Sequence, residues 1–389
     1  MKILYVISRP VELNTSASIR NRATVLGLLE NGHEVTVLTT EADPNHSAYD
    51  AEMSLRDVTK TIYVKLSGIQ SVARFGRRFK FFKKLRSIGY KLMVKHEIYD
   101  NFKSMVNHTG VISLEEEKFD IIISSSDPKS SHLFVSTLLQ QQGADFDGKW
   151  IQIWGDPFAG DITLKADKKL ALIRKEEQRL LREADKVVYV SELTRKAQQE
   201  AYPESAHKMF NYPIPYMNER ITRNRSLKDA KRIELIYCGD YMSHVRNLRP
   251  LYEAVKQMPD AHLTVCGLSD APLESCENVE VHSRVPYEQV CEYENNADVL
   301  VHLSNLKGSQ IPGKIYQYSG TNKPVLFILD GDEAALLSYF SQYGRYAFAN
   351  NTTQSIIDAL NKLKAEERQW MPLTVFGKKE IAERIISGG

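Results

Sequence analysis

Two α/β domains, each a doubly wound parallel sheet, are what this sequence predicts. Three observations carry the prediction: near-continuous apolar runs ending in polar turns, helical stretches between them, and a break after which the same alternation restarts. The first run, Lys2-Ile3-Leu4-Tyr5-Val6-Ile7-Ser8, reads as a buried parallel strand. A helix follows, with hydroxyl caps from Ser16 onward, an apolar stripe of Ala23, Leu26, Leu28 and Leu29, and a stop at Asn31-Gly32. Residues 34–39 form the next strand, and weaker copies of the unit put strands at 62–66, 119–125, 149–154 and 186–191, with helices at 129–142 and 164–184.

The pattern breaks at Asn211-Tyr212-Pro213-Ile214-Pro215, and residues 218–232 are polar with no apolar face. It restarts with strands at 233–238, 261–266, 279–282, 297–303 and 324–329, separated by helices at 247–257, 286–296, 314–319, 333–342 and 353–364. The expected organisation is an N-terminal domain at 1–212 with a basic insertion at about 70–110, a linker at 213–232, a C-terminal domain at 233–372, and a closing helical segment at 373–389 that packs back on the first domain. Open α/β sheets take ligands beyond the carboxyl ends of their strands, so two such domains facing each other would put function in a cleft between them.

Composition narrows the class. The 389 residues include 51 Lys+Arg against 49 Asp+Glu, 42% hydrophobic residues, 20 Gly, 14 Pro and 4 Cys, which excludes a disordered, collagen-like or disulfide-scaffold chain. Cys238, Cys266, Cys276 and Cys291 have no metal-site or redox-pair spacing, so no metal is expected and a reducing cytoplasm fits. No apolar run approaches the roughly 18 residues that span a bilayer. The formal charge of +2 hides a patch: nine basic residues and no acid fall between Arg74 and Lys95. Phe interleaves with Lys and Arg there, as in a segment lying on an anionic membrane surface. The rest of the chain is acidic on balance, which argues against nucleic acid as a partner.

Chemistry is expected on two loops of the C-terminal domain. Ser304 to Lys314 follows a strand and opens a helix, so backbone around Gln310, Ile311, Pro312 and Gly313, with the Lys314 ammonium, could meet a phosphate. Gly239 begins the turn after the domain's first strand, and Arg246-Asn247 ends it. Arg246 and Lys314 together could stabilise a diphosphate leaving group as its bond to a sugar breaks.

The order of several motifs resembles one family. Asn31-Gly32-His33-Glu34-Val35-Thr36-Val37-Leu38-Thr39, Phe119 to Ser124, Glu183 to Ser191, Ala297 to Ser304, and Gly313-Lys314-Ile315-Tyr316-Gln317-Tyr318 followed by Lys323-Pro324-Val325-Leu326 are similar to retaining GT-B glycosyltransferases of family four. The resemblance implies two Rossmann-like domains, a UDP- or GDP-linked sugar donor on the C-terminal one, a glycan or lipid-linked acceptor on the N-terminal one, and no further cofactor. By carry-over Arg246 matches the diphosphate-binding lysine region, and Gln317 stands at the second Glu of the Glu-x7-Glu motif, which meets the ribose. Ser309 replaces the first Glu and Asp240 the usual basic residue after the glycine. Residues 151–157 resemble the acceptor-side segment, making Asp156 and Trp154 candidates for holding the acceptor; His132 and Ser16 join them. The implied setting is cytoplasmic, peripheral on the inner face of the plasma membrane, in cell-surface polysaccharide assembly. Two rivals share the architecture: a non-catalytic partner subunit and a nucleotide-sugar epimerase.

Overall fold

The computed structural model describes residues 1–66, 98–160 and 169–387. The chain forms two compact units, Met1–Pro213 with Ile381–Gly389 as unit 1 and Ile214–Glu380 as unit 2. The cationic stretch 74–95 and the start of the helix expected at 164–184 lie outside the described residues. No described helix is long and apolar enough to cross a membrane.

Unit 1 is built on β1 (Lys2–Ile7), β2 (Glu34–Thr40), β3 (Thr61–Val64), β4 (Ile121–Ser125), β5 (Lys149–Trp154), β6 (Lys186–Tyr189) and β7 (Met209–Asn211), in the order β3-β2-β1-β4-β5-β6-β7. Every neighbouring pair is parallel. The central position of β1 explains its unbroken apolar run, because both its faces are covered by helices. Its helices are α1 (Ser16–Glu30), α2 (Leu114–Glu117), α3 (Ser130–Gln142), α4 (Leu170–Glu183) and α5 (Glu192–Ala201). The α1 cap is Thr15, whose hydroxyl accepts from Ser18 N at 3.2 Å, so Ser16 is the exposed first helical residue. Leu4, Ile122, Phe134, Trp150, Trp154 and Leu180 sit in one apolar cluster of this unit.

Unit 2 repeats the plan with β8 (Ile233–Cys238), β9 (Ala261–Cys266), β10 (Val279–His282), β11 (Val299–Leu303), β12 (Val325–Leu329) and β13 (Ala347–Asn350), ordered β10-β9-β8-β11-β12-β13 and parallel throughout. Its helices are α6 (Arg249–Lys256), α7 (Tyr287–Asn296), α8 (Lys314–Ser319), α9 (Glu333–Ser341) and α10 (Thr353–Ala365). Residues 214–222 are hydrogen-bonded into this unit, Tyr216 N to Phe376 O at 3.0 Å and Arg220 N to Gly320 O at 2.9 Å. Strands β7 and β13 and helix α5 are additions to the sequence reading. Both strands are short edge strands with weak apolar runs, and α5 is too polar to show a stripe.

The last helix, α11 (Lys378–Ser387), begins in unit 2 and ends in unit 1, where Ile381, Ala382 and Ile385 are buried. Lys186 Nζ donates to Arg384 O at 3.0 Å and lies 5.0 and 4.9 Å from the ring centres of Phe210 and Tyr212. Burial, with help from Lys149 and Arg384, pushes the Lys186 ammonium down to about 8.

Candidate functional site

In unit 2 the loops beyond the carboxyl ends of β8, β9 and β11 are knitted together. Gly239 N donates to Cys266 O at 2.9 Å, Gly267 N to His282 O at 3.1 Å, and Leu306 N to Val245 O at 2.8 Å. The approach is close enough that a Cβ on Gly267 would lie 2.1 Å from Gly239 O, so this position requires glycine. All four cysteines are thiols.

Arg246 is built into this junction. Its Nη1 donates to Asp240 O at 2.7 Å and its Nε to Asn305 Oδ1 at 3.0 Å, while Asn305 Nδ2 donates to Gln310 O at 3.1 Å. One buried amide thus joins the arginine of the first loop to the 305–310 loop. Asp240, in place of the expected basic residue, accepts from Leu268 N at 3.0 Å and pairs with Arg284. Burial works against its carboxylate, but Arg284 and the backbone N–H outweigh that and hold it below the ordinary range.

Lys314 is not a solitary charge. Its Nζ is 2.5 Å from Glu294 Oε1, and Glu294 Oε2 accepts from Arg220 Nη2 at 2.7 Å. Only 3% of the Glu294 side chain is exposed, against a third of Lys314. Burial alone would raise the Glu294 carboxyl, but Lys314 and Arg220 overcome it and keep the group below the ordinary carboxylate value. Burial likewise opposes the Lys314 ammonium, and the Glu294 carboxylate more than restores it.

The remaining expected donor-site residues differ in exposure and in the partners they hold. Asn247 is exposed, and its carbonyl accepts from Asn351 Nδ2 at 2.9 Å. Ile311 is buried, Pro312 and Gly313 are half-buried, and Gln310 Nε2 is buried with no hydrogen-bond partner. The six-residue α8 has no side-chain cap. Gln317 uses both ends of its amide on the chain, accepting from Met217 N at 3.1 Å and donating to Pro215 O at 3.0 Å.

Unit 1 corrects two expectations. Trp154 is fully buried, with Nε1 donating to Gln152 Oε1 at 2.9 Å and its ring 4.3 Å from that of His132. His132 is fully buried too, its Nδ1 2.7 Å from Ser124 Oγ, and burial drives the imidazole well below its ordinary value. Neither ring has a face to offer an acceptor, because both turn into the core. Asp156 is half-buried just beyond β5. Its loop is anchored by Glu177, whose buried carboxylate accepts from Phe158 N at 2.6 Å, Ala159 N at 3.0 Å and Tyr202 Oη at 2.8 Å.

Beside Asp156 lies Arg20, 4% exposed, which donates to Ser126 O and contacts Ser125 Oγ at 3.4 Å. A Cβ on Gly155 would fall 2.6 Å from Arg20 Nη1, so glycine there makes room for the guanidinium. Among the described residues no group of three or more His, Cys, Asp or Glu side chains could hold a metal ion. Sequence reasoning missed Glu294, Arg220, Asn305 and Arg20. Only Glu294 left a usable signal, falling four and three residues after Val290 and Cys291 on the inward face of α7.

No protein-family model matches the chain, and no curated protein matches its sequence. Solved structures do match its fold. A glycosyltransferase from Rickettsia africae is 12% identical over 99% of this chain and 92% of its own, with a TM-score of 0.57. An alpha-glucosyltransferase in complex with UDP and a 13-mer DNA is 12% identical over 99% and 94%, with a TM-score of 0.53. A UDP-N-acetylglucosamine 2-epimerase is 12% identical over 99% and 94%, with a TM-score of 0.51. Two parallel doubly wound sheets together with these matches give the chain the GT-B fold.

Proposed function

We propose that the protein is a retaining glycosyltransferase that moves a sugar from a nucleotide diphosphate donor, UDP-linked by preference, to a glycan or lipid-linked acceptor in cell-surface polysaccharide assembly. The observation that carries the reading is the Arg246–Asn305–Gln310 junction at the carboxyl ends of β8 and β11, with Lys314 opening the next helix. On this reading Arg246, whose hydrogen bonds preset its direction, meets the diphosphate and gains strength as negative charge collects on the departing oxygen. Lys314 supplies a second positive charge, shared with Glu294 until the diphosphate arrives. Asp156 orients the acceptor hydroxyl from unit 1. The work is done at a cytoplasmic membrane face, to which the cationic stretch 74–95 holds the enzyme.

The test is a panel of UDP- and GDP-sugars screened for thermal stabilisation, then assayed for transfer. Arg246→Ala should cut turnover about 10²–10³-fold with a melting temperature near wild type. Wild-type turnover in both Arg246→Ala and Lys314→Ala would overturn the assignment. The match to a 2-epimerase supports a second reading, in which the donor is isomerised with no acceptor present; product analysis without acceptor separates the two.

A further inference from the structure

At the carboxyl end of unit 1's sheet two arginines have no carboxylate in contact among the described residues. Arg9, just beyond β1, is half-buried, and among the described residues no hydrogen bond or ion pair engages its guanidinium. Arg20 is nearly fully enclosed, yet its contacts are only a carbonyl and a hydroxyl, and its Nε has no partner. The two charges are near enough to repel each other, and burial lowers both groups from their ordinary value.

The acids of the neighbourhood are engaged elsewhere. Asp100 accepts from Ser130 N at 3.1 Å and Ser130 Oγ at 2.7 Å, and Asp127 pairs with Lys129. Asp156 acts on Arg20 through space. Asp100 attracts Arg9 and Asp156 attracts Arg20, but among the described residues neither touches its guanidinium. A cation drawn out of water without a contacting counter-ion is costly, and the enclosed Arg20 with the half-buried Arg9 at the ligand-binding edge of an open sheet leaves that contact to be supplied from outside. The guanidinium fork suits a planar carboxylate or a phosphate equally.

We propose that unit 1 binds an oxyanion, phosphate or carboxylate, through Arg9 and Arg20 at the carboxyl ends of β1, β4 and β5. Resting on the transferase reading, that oxyanion is an acidic group of the acceptor, so the acceptor is a sugar phosphate, a lipid phosphate or an acidic saccharide, not a neutral glycan. Glucose 1-phosphate, glucuronic acid, glucose and UDP serve as probes, each titrated into the full chain at low salt by calorimetry. The two acidic sugars should bind more tightly than glucose, and whichever of them binds better identifies the oxyanion.

Arg9→Gln should weaken both acidic probes about 10–100-fold and leave UDP unchanged. Arg20→Lys, which keeps the charge and removes the fork, should do the same, with its melting curve as the check on folding. Unchanged binding of the acidic probes to Arg9→Gln overturns the proposal, as does glucose binding as tightly as they do. UDP weakened in parallel overturns the assignment to the acceptor, since the anion would then be the donor's. A wild-type protein that ignores UDP sinks the transferase reading alone, because the acidic probes still decide the oxyanion site.

Discussion

Both units carry cations at the carboxyl ends of their sheets, but they balance them in opposite ways. In unit 2 the Lys314 ammonium shares a buried carboxylate with Arg220, and Glu294 brings the charge to order before any ligand arrives. In unit 1, among the described residues, Arg9 and Arg20 have no such carboxylate in contact, and Arg20 is held by a backbone carbonyl and a hydroxyl. The same architecture therefore holds one cation cluster that is internally compensated and, on the proposal above, one whose compensation comes from a ligand. A compensated site exchanges one ion pair for another when its ligand binds, whereas an uncompensated one gains a pair it never had.

Removing the compensating group should have the largest effect. Glu294→Gln leaves Lys314 and Arg220 without their shared counter-charge and should cost about 3 kcal/mol in urea unfolding. The sign with pH follows from its lowered folded value: the contribution is full above the ordinary Glu value of 4.5 and disappears as pH falls through the lower folded one. The variant should match wild type only in that acid range; a loss well under 1 kcal/mol at pH 7 would show that the pair is decorative.

A smaller effect sharpens the other side of the comparison. Gly155→Ala places a Cβ 2.6 Å from Arg20 Nη1, a side-chain atom that can swing away. The expected cost is about 1–2 kcal/mol by thermal melting, with weaker binding of acidic sugars as Arg20 shifts. Melting and binding both at wild-type values would mean that the guanidinium has slack.

The smallest effect at neutral pH concerns a group each unit hides. Burial pushes His302 down to about 3 from 6.5, and His132 in unit 1 is likewise held neutral. The unfolded chain takes up the proton first, so stability should fall as pH drops from 6.5 towards 3. His302→Phe should remove that residue's share of the slope while costing only about 1 kcal/mol at pH 7; an unaltered slope would assign it to His132.

Much of the fold was legible because central parallel strands are covered on both faces. Ile3 to Ile7 declares itself as an unbroken apolar run, and residues 299–303 depart from one only at His302. Of the four edge strands, those at 61–64 and 279–282 were read, whereas Met209–Asn211 and Ala347–Asn350, short and weakly apolar, were not. At the site, Arg246 and Lys314 could be picked out because each sits where a loop meets a helix. Glu294 is one of three glutamates on α7, and its spacing from Val290 and Cys291 points it inward without saying which cation it meets. Trp154 was misread because an aromatic at a strand end looks the same whether its ring turns outward or into the core. Arg20 was missed because an arginine on a helix suggests solvent, and only the glycine opposite it makes burial possible.

The course of the chain has a further consequence, for biosynthesis. Unit 2 is an uninterrupted stretch, Ile214–Glu380, while unit 1 takes its closing residues from the far side of it. At about 5–20 residues per second, the ribosome needs on the order of 10–30 s to pass from the first boundary to the second. Throughout that interval the seat beside Lys186 that Ile381, Ala382 and Ile385 fill stays open.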